Sequence, residues 1–210
     1  MLLTKSVNIV LRVLRSARST PIPDEIPKYH LKSEVRRFFL AIGRLRDRVL
    51  FALMYQHGLR RREAAELRRT DINLAEGLIT VRRLKGSRSG VYRLHKGTIQ
   101  LLRSYLKTLD GSNMYLFPGR AEATHISPTT IYYLCRKYAR AAGLRRTNPH
   151  AFRHSCGVHA ANARLDLLDI ADLLGHKSLG TAMRYAAVSS KRRDENFERI
   201  VHSGEFARTV

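Results

Sequence analysis

The chain has 210 residues, of which 44% are hydrophobic, so it is a folding sequence for one domain and not a disordered tail. Its 39 Lys and Arg residues against 17 Asp and Glu leave a formal net charge of +22, which indicates a polyanionic partner. The basic residues occur along the whole chain, and no run of about 18 apolar residues is present. Nucleic acid is therefore favoured over a membrane surface.

The first 27 residues are interpreted as an N-terminal extension and linker. Basic residues are interspersed with apolar ones in segment 2–18, which argues against a secretory signal. The segment is interpreted as an amphipathic helix, the remnant of a longer gene product or a transit-like segment. Three prolines and two acidic residues between Ser19 and Pro27 indicate the linker. Residues 28–210 are expected to form a single domain with a C-terminal tail from about residue 189.

The body of the chain is mainly helical in pattern. Apolar residues at helical spacing predict helices at 31–42, 46–57, the segment RREAAELRR, 98–109, 128–142, 149–162, 166–174 and 179–187. A turn region at 71–77 precedes two short strands, 78–84 and 91–94, which are joined by a basic hairpin tip at 85–90. The expected fold is therefore mainly α with a small antiparallel β-sheet, an α+β class.

Three short segments combine arginine and histidine in a way that suggests phosphate chemistry. They are HGLRRRE at 57–63, HAFRH at 150–154 and LLGH at 173–176, the last followed nine residues later by Tyr185. Each alone has an ordinary explanation: a helix start with solvated arginines, two polar groups on one helix face, or a histidine near a helix C-terminus. Their joint occurrence and order favour a shared function.

The residue types fit reversible cleavage of a phosphodiester. A tyrosine phenol such as Tyr185 forms a phosphate ester of comparable energy, so rejoining could proceed without ATP. The planar guanidinium groups of Arg60 and Arg153 can grip phosphate oxygens and stay charged. His150 and His176 can donate hydrogen bonds to the same oxygens or help to remove the phenolic proton. Phosphoryl transfer to a tyrosine is therefore the predicted chemistry.

The segments GLRRREAAELRRTDI, HAFRHSCGVHAA and LLGHKSLGTAMRYAAVS resemble the three signature boxes of the phage integrase, or tyrosine recombinase, family. The similarity covers roughly residues 30–190 in the family's order. It implies the DNA breaking-rejoining catalytic fold and site-specific recombination through a 3′-phosphotyrosyl intermediate, with no metal, cofactor or ATP. The His57-Gly58 pair, the HSCG run and the short length are most similar to the small invertases that switch fimbrial promoters.

The resemblance also implies roles for individual residues. Tyr185 would be the nucleophile, and Lys85 in the hairpin tip would be the general acid for the departing 5′ oxygen. Glu63 occupies an acidic position that is expected to orient Arg60 or a histidine. The complete expected catalytic set is Arg60, Lys85, His150, Arg153, His176 and Tyr185.

Other basic residues near these segments are expected to face DNA or to have structural roles. Arg83, Arg88 and Lys96 compete with Lys85 for the role of general acid. His154 and His159, which lie in or beside the second box, are interpreted as structural. The expected DNA-binding residues are Arg61, Arg62, Arg83, Arg88 and Lys96.

Several other classes of protein are disfavoured. Cys135 and Cys156 form no CxxC pair, so both are expected to pack as small apolar groups in a reduced, cytoplasmic protein. Asp166, Asp169 and Asp172 are spaced for the solvated face of one helix, which disfavours a two-metal nuclease. No Gly-rich loop precedes a Lys-Ser/Thr pair, so an NTPase is disfavoured too.

Double-stranded DNA is the expected partner, with self-association into a tetrameric synapse and help from a host DNA-bending protein. The family commonly has an N-terminal helical domain that closes around DNA. About 30 residues precede the matching region here, so weak or partner-assisted, salt-dependent binding is expected. The tail, in which Phe197, Ile200 and Val201 suggest a helix face, could dock on a neighbouring protomer or on its own domain.

Two other functions stay open at this point. One is a DNA-binding regulator that keeps the fold without strand exchange, and the other is a type IB-like relaxing topoisomerase. For a recombinase, inversion, integration and excision are all open outcomes.

Overall fold

A computed structural model describes residues 28–84, 87–111 and 113–188 of the chain. The predicted N-terminal extension, Lys85 and the tail from residue 189 lie outside the described residues. Within these ranges the helices are α1 (Lys32–Leu40), α2 (Leu45–Gln56), α3 (Arg61–Ala65), α4 (Lys96–Leu106), α5 (Pro128–Ala141), α6 (His150–Asn162), α7 (Leu167–Leu173) and α8 (Leu179–Val188). The predicted α+β class, mainly helical with a small antiparallel sheet, is confirmed.

The sheet has the order β1-β2-β3 with antiparallel neighbours, where the strands are β1 (Ile72–Asn73), β2 (Leu78–Val81) and β3 (Gly90–Arg93). The register places Ile79 opposite both Ile72 and Tyr92. Strand β1 was not predicted, because two residues are too few for an alternating pattern. Strand β2 ends before the predicted residue 84, because the chain leaves the sheet where Arg83 turns into the interior.

Helix starts are set by side chains that satisfy free backbone N–H groups. The Ser127 hydroxyl accepts from the Thr130 N–H at 2.9 Å, and Pro128 occupies the first helical position of α5. The His95 Nδ1 accepts from the Gly97 N–H, so α4 begins two residues before its predicted start. These contacts determine where α4 and α5 begin.

Most of the buried apolar residues form one main cluster. It contains the buried apolar residues of α1 to α5, the sheet and the segments between them, together with Leu144 and Phe152. Aromatic rings hold its centre: the Phe38 ring centroid lies 4.4 Å from that of Phe152 and 5.1 Å from that of Phe51. Because Phe152 belongs to α6, this packing fixes α6 against the body of the domain.

A second, smaller cluster joins α6, α7 and α8. Its buried members are Cys156, Val158, Ala161, Ile170, Ala171, Leu174, Ala182 and Tyr185. Tyr185 is its largest side chain and is only 1% exposed. Cys135 in the main cluster and Cys156 in the second are both free and buried, as expected. The predicted nucleophile therefore also serves as a core residue in this conformation.

Candidate active site

The turn after α2 presents Arg60 at the start of α3. Gly58 has φ +56°, and a Cβ at this position would lie 2.3 Å from the Leu174 side chain, so the position requires glycine. The Glu63 carboxylate accepts from the Arg60 backbone N–H at 2.8 Å and from its Nη1 at 2.7 Å. Arg60 Nη1 also donates to Ser87 Oγ at 2.9 Å. These bonds orient the guanidinium group of a side chain that is 32% exposed.

Arg153 reaches the same region from α6. Its Nη1 donates to the Gly58 carbonyl and its Nη2 to the Leu174 carbonyl. Burial, reinforced by the positive charges of Arg60 and Arg83, lowers the pKa of Arg153 to about 10, so the group remains charged at neutral pH. A guanidinium has five N–H donors, and the two carbonyls leave others for an anion.

Arg83 does not face DNA, which corrects the expectation for this residue. Its side chain is fully buried, and Nη1 donates to Glu63 Oε2 at 2.8 Å. The same guanidinium donates to the backbone carbonyls of His57, Gly58 and Leu173. Arg83 therefore joins the α2–α3 turn to the end of α7 and has no surface left for a phosphate.

Glu63 holds two arginines at once. Burial alone would raise the pKa of this carboxyl group, but the Arg60 backbone N–H and the Arg83 charge outweigh burial and lower it. The ionised carboxylate is therefore the anionic partner of both Arg60 and Arg83. Its position beside Arg60 is the one that the sequence analysis expected.

A cavity of about 310 Å³ brings together five of the six predicted catalytic residues. Its lining also includes His154, Lys177 and Arg184, so most of its charged groups are cations. A cationic cavity of this kind suits a phosphate group. The predicted residues that line it are Arg60, His150, Arg153, His176 and Tyr185.

The Tyr185 ring lies between a glycine and a histidine. A Cβ on Gly157 would lie 2.8 Å from the ring, and the His176 ring stacks on it with centroids 6.2 Å apart and planes 9° apart. The Tyr185 hydroxyl lies 3.1 Å from His154 Nδ1. Burial raises the pKa of Tyr185, although the Arg153 charge acts in the opposite direction.

His154 was expected to be structural, so its contact with the Tyr185 hydroxyl corrects that expectation. His154 follows His150 by four residues on α6, and the two rings meet edge to face with centroids 4.5 Å apart. Spacing of i and i+4 places two side chains on one helix face. That spacing was a signal that both histidines belong to the site, whereas the contact with Tyr185, 31 residues further on, had no local signal.

The site histidines are neutral at pH 7. Burial is the largest cause that lowers the pKa of His176 to about 4 and that of His154 to about 4. Burial, followed by the Arg153 charge, also lowers the pKa of His150. Neutral imidazoles can accept a proton at one nitrogen and donate a hydrogen bond from the other.

Lys85 lies outside the described residues, but the residues on both sides of it border the site. Leu84 lines a second cavity, of about 510 Å³, together with Arg60, Arg61, Arg62 and His150 among others. On the other side, Ser87 lines the active-site cavity, and the Arg88 N–H donates to the Gly175 carbonyl at 3.2 Å.

The remaining predicted DNA-binding residues lie on the surface. Arg61, Arg62, Arg88 and Lys96 are exposed, and their contact with DNA stays a prediction. Tyr132 was not among the predicted residues, and its ring lies 5.5 Å from the guanidinium carbons of both Arg61 and Arg136. The partly exposed Tyr132 and Arg136 of α5 thus add an aromatic and arginine surface beside the second cavity.

The fold and the cavity together define a phosphoryl-transfer enzyme of the tyrosine recombinase class. Residues 29–192 match the Phage integrase family, and the chain belongs to that family. It is 34% identical over 202 residues to the tyrosine recombinase XerA of Thermococcus onnurineus (strain NA1), covering 88% of this chain and 71% of that relative. The XerA of Pyrococcus furiosus (strain ATCC 43587 / DSM 3638 / JCM 8422 / Vc1) is 31% identical over 212 residues, covering 93% and 74%.

Solved structures agree with the sequence relatives. A crystal structure of XerA recombinase has a TM-score of 0.73 at 25% identity, covering 93% of this chain and 73% of that one. The XerH site-specific recombinase, bound to a palindromic difH substrate after cleavage, has a TM-score of 0.71 at 26% identity and covers 82% and 53%.

These findings confirm that the chain is a tyrosine-type site-specific DNA recombinase, as predicted. The narrower similarity to fimbrial-switch invertases stays a prediction. No helix of the described part is long and apolar enough to span a membrane.

Proposed function

We propose that Tyr185 is the nucleophile of this recombinase and that Arg60 and Arg153 bind the scissile phosphate. The observation that carries the proposal is the single cavity that both guanidinium groups and the Tyr185 side chain line. Attack by the Tyr185 oxygen forms a 3′-phosphotyrosyl ester and releases the 5′ oxygen. The ester keeps the energy of the broken bond, so rejoining needs no ATP.

The cationic groups stabilise the charge of the transition state. The two guanidinium groups approach from different elements, Arg60 from the start of α3 and Arg153 from α6, so they can hold different phosphate oxygens. His150 and His176 donate hydrogen bonds to the remaining oxygens. Preorganised donors of this kind are typically worth on the order of 10²–10³ in rate each.

Lys85 is the proposed general acid for the departing 5′ oxygen. The chain on either side of it supports this role, because Leu84 and Ser87 line the two neighbouring cavities. The Ser87 hydroxyl contacts Arg60 directly, which ties the hairpin to the phosphate clamp.

Double-stranded DNA is proposed to lie across the face that carries the second cavity. Arg61 and Arg62 border this cavity, and Arg88 and the Tyr132 surface lie beside it or beside the active site. Phosphate contacts by these cations would make affinity fall steeply with salt. A tetrameric synapse and a host bending protein complete the proposed assembly.

Covalent trapping on nicked DNA tests the nucleophile. The substrate is a duplex library with a randomised central segment and a nick, from which the wild-type protein selects its own site. Cleavage beside the nick releases a short fragment that carries the 5′ hydroxyl. Because this fragment diffuses away, the strands cannot rejoin and the covalent adduct persists. We expect adducts with wild type and none with Tyr185→Phe. Tyr55→Phe is the matched control, since Tyr55 also contacts a histidine of α6 but lies outside the active-site cavity.

An adduct of unchanged yield in Tyr185→Phe would contradict the proposal. Plasmids that carry two selected sites then report the outcome. Inverted sites should give inversion and direct sites excision, whereas relaxation of a one-site plasmid without recombination would indicate a topoisomerase.

A further inference from the structure

Helix α6 carries two histidines that contact tyrosine hydroxyl groups through Nδ1. His154 Nδ1 lies 3.1 Å from the Tyr185 hydroxyl, and His159 Nδ1 lies 2.7 Å from the Tyr55 hydroxyl. The first pair lines the active-site cavity and the second does not. The same chemical pairing therefore occurs once at the proposed reacting atom and once in a purely structural setting.

We propose that His154 accepts the phenolic proton of Tyr185 when the tyrosine attacks the phosphate, and returns it when the strands rejoin. The inference rests on the proposed function, in which Tyr185 is the nucleophile. It adds a catalytic residue that makes direct contact with the reacting oxygen.

The geometry favours His154 over the other two histidines of the cavity. The His176 ring lies parallel to the Tyr185 ring, with centroids 6.2 Å and planes 9° apart, and its buried Nδ1 has no hydrogen-bond partner within the described residues. His150 meets the His154 ring instead, at 4.5 Å between centroids. Within the described part of the chain, the Tyr185 hydroxyl hydrogen-bonds to His154.

The protonation states fit a base that is ready before the reaction. Burial lowers the pKa of His154 to about 4, and the nearby His150, Arg184 and Arg153 reinforce that shift, so the imidazole is neutral at pH 7. With the ring proton on Nε2, Nδ1 accepts the Tyr185 hydroxyl proton. A tyrosine that already donates to a neutral imidazole has its oxygen oriented and its proton acceptor in place.

Bound DNA strengthens this base. The groups that face His154 across the cavity are cationic or can become so: Arg60, Arg153, His176, Lys177 and Arg184. A phosphate anion held by Arg60 and Arg153 opposes their charge and raises the pKa of His154. The imidazole therefore becomes a better proton acceptor when the scissile phosphate is in place.

The proposed step is balanced in bonds and protons. The bond between the Tyr185 oxygen and phosphorus forms, the bond between phosphorus and the 5′ oxygen breaks, and the phenolic proton moves to His154 Nδ1. The leaving 5′ oxygen takes a proton from Lys85 in the proposed function. Rejoining reverses both transfers, so the base and the acid act on opposite sides of the phosphorus.

Two substitutions separate proton transfer from simple positioning. In His154→Asn the amide oxygen lies near the position of Nδ1, so it can accept the hydrogen bond but cannot take the proton. His154→Ala removes both functions. His159→Asn is the matched control on the same helix, because it makes the same change at the Tyr55 hydroxyl.

The measurement is the single-turnover rate of adduct formation on the selected nicked duplex. We expect both His154 variants to be slower by about 10²–10³, within the range for loss of a general base, and His159→Asn to match wild type. The rate of His154→Asn should rise about tenfold per pH unit between pH 6 and 9, because the phenol must then ionise to solvent. The wild-type rate should level off within that range.

A duplex with sulfur in place of the bridging 5′ oxygen shows whether a variant is defective in protonating the leaving group or in deprotonating the nucleophile. A thiolate leaving group needs no proton, so this substrate should restore the rate of Lys85→Ala but leave His154→Asn slow. Restoration of His154→Asn by sulfur, or a wild-type rate for His154→Asn on the oxygen substrate, would overturn the proposal. Adducts in Tyr185→Phe would instead contradict the nucleophile assignment, and circular dichroism of each variant identifies any that fails to fold.

Discussion

The main cluster and the second cluster are built from different side chains. The main cluster is centred on large rings such as Phe38, Phe51 and Phe152. The second cluster consists mostly of small and aliphatic residues, and Tyr185 is its largest member. Because apolar burial scales with the area removed from water, the second cluster is expected to be the less stable unit. The proposed nucleophile thus belongs to the unit that opens more easily.

Buried cations connect these two units. Arg83 and Arg153 both donate to the Gly58 carbonyl on the side of the main cluster. On the side of the second cluster, Arg83 donates to the Leu173 carbonyl and Arg153 to the Leu174 carbonyl. The site therefore lies at the junction of the two clusters, and hydrogen bonds from these buried cations connect the two sides.

The largest expected effect follows from removal of Arg83. Arg83→Met leaves the buried Glu63 with one fewer cation and leaves three backbone carbonyls without this donor. Breaking a buried ion pair typically costs about 3–5 kcal/mol of unfolding free energy. Urea unfolding followed by circular dichroism measures the change.

An arginine in an exposed ion pair provides the control for this experiment. Arg62 lies 3.9 Å from Glu66, and the two side chains are 67% and 47% exposed, so Arg62→Met should cost about 0–1 kcal/mol. Equal losses for the two variants would show that burial of Arg83 does not join the clusters in solution.

The next effect concerns catalysis at the junction. Arg153→Lys replaces a planar fork, which bonds both carbonyls and faces the cavity, with a single ammonium group. We expect the single-turnover rate of adduct formation to fall by about 10²–10³, or about 2.7–4 kcal/mol of activation free energy. Arg103→Lys on the exposed side of α4, outside both cavities, is the control and should keep the rate within a few-fold. A near-normal rate for Arg153→Lys would exclude a bidentate role.

A pH effect is expected where α2 ends at the junction. His57 is 3% exposed, and burial, reinforced by the Arg83 charge, lowers its pKa to about 4. In the unfolded chain, His57 binds a proton below about pH 6.5, whereas in the native state it binds one only below about pH 4. The free energy of unfolding therefore decreases as the pH falls through that range. Between pH 8 and 5 this residue alone accounts for about 2 kcal/mol.

His57→Gln tests this assignment because glutamine does not titrate. The variant should lose about 2 kcal/mol less than wild type between pH 8 and 5, measured by urea unfolding at each pH. An unchanged slope in His57→Gln would place the titration elsewhere.

Local patterns predicted what local interactions determine. The predicted helices lie within a few residues of the observed ones because their spacing and caps are short-range features, as at Ser127. The three boxes predicted five residues of one cavity, since their order in the chain follows the family pattern. The catalytic roles of these residues stay predictions until the variants are measured.

The misses share a different physical cause. Arg83 has the same local context as the exposed Arg82, and its partners lie 20, 25, 26 and 90 residues away in the chain. The hydroxyl that His154 contacts is 31 residues distant. Tertiary packing decides which polar groups are buried together, and one sequence without its fold does not encode that pairing in any short window.

The smallest effect gives the sharpest test of the two clusters. Ile79 in the main cluster and Ile170 in the second are both fully buried, so Ile79→Val and Ile170→Val each should cost about 0.5–1.5 kcal/mol of global stability. If α7 and α8 open while the main cluster stays folded, Ile79→Val should leave the opening free energy of the α7 and α8 amides, measured by hydrogen exchange, unchanged. Ile170→Val should then lower that opening free energy by as much as it lowers global stability. Amides of α2, which exchange through global unfolding, should respond to both variants. If Ile79→Val destabilised α7, α8 and α2 equally, the domain would open as one unit, and Tyr185 could move relative to Arg60 only by unfolding the whole protein.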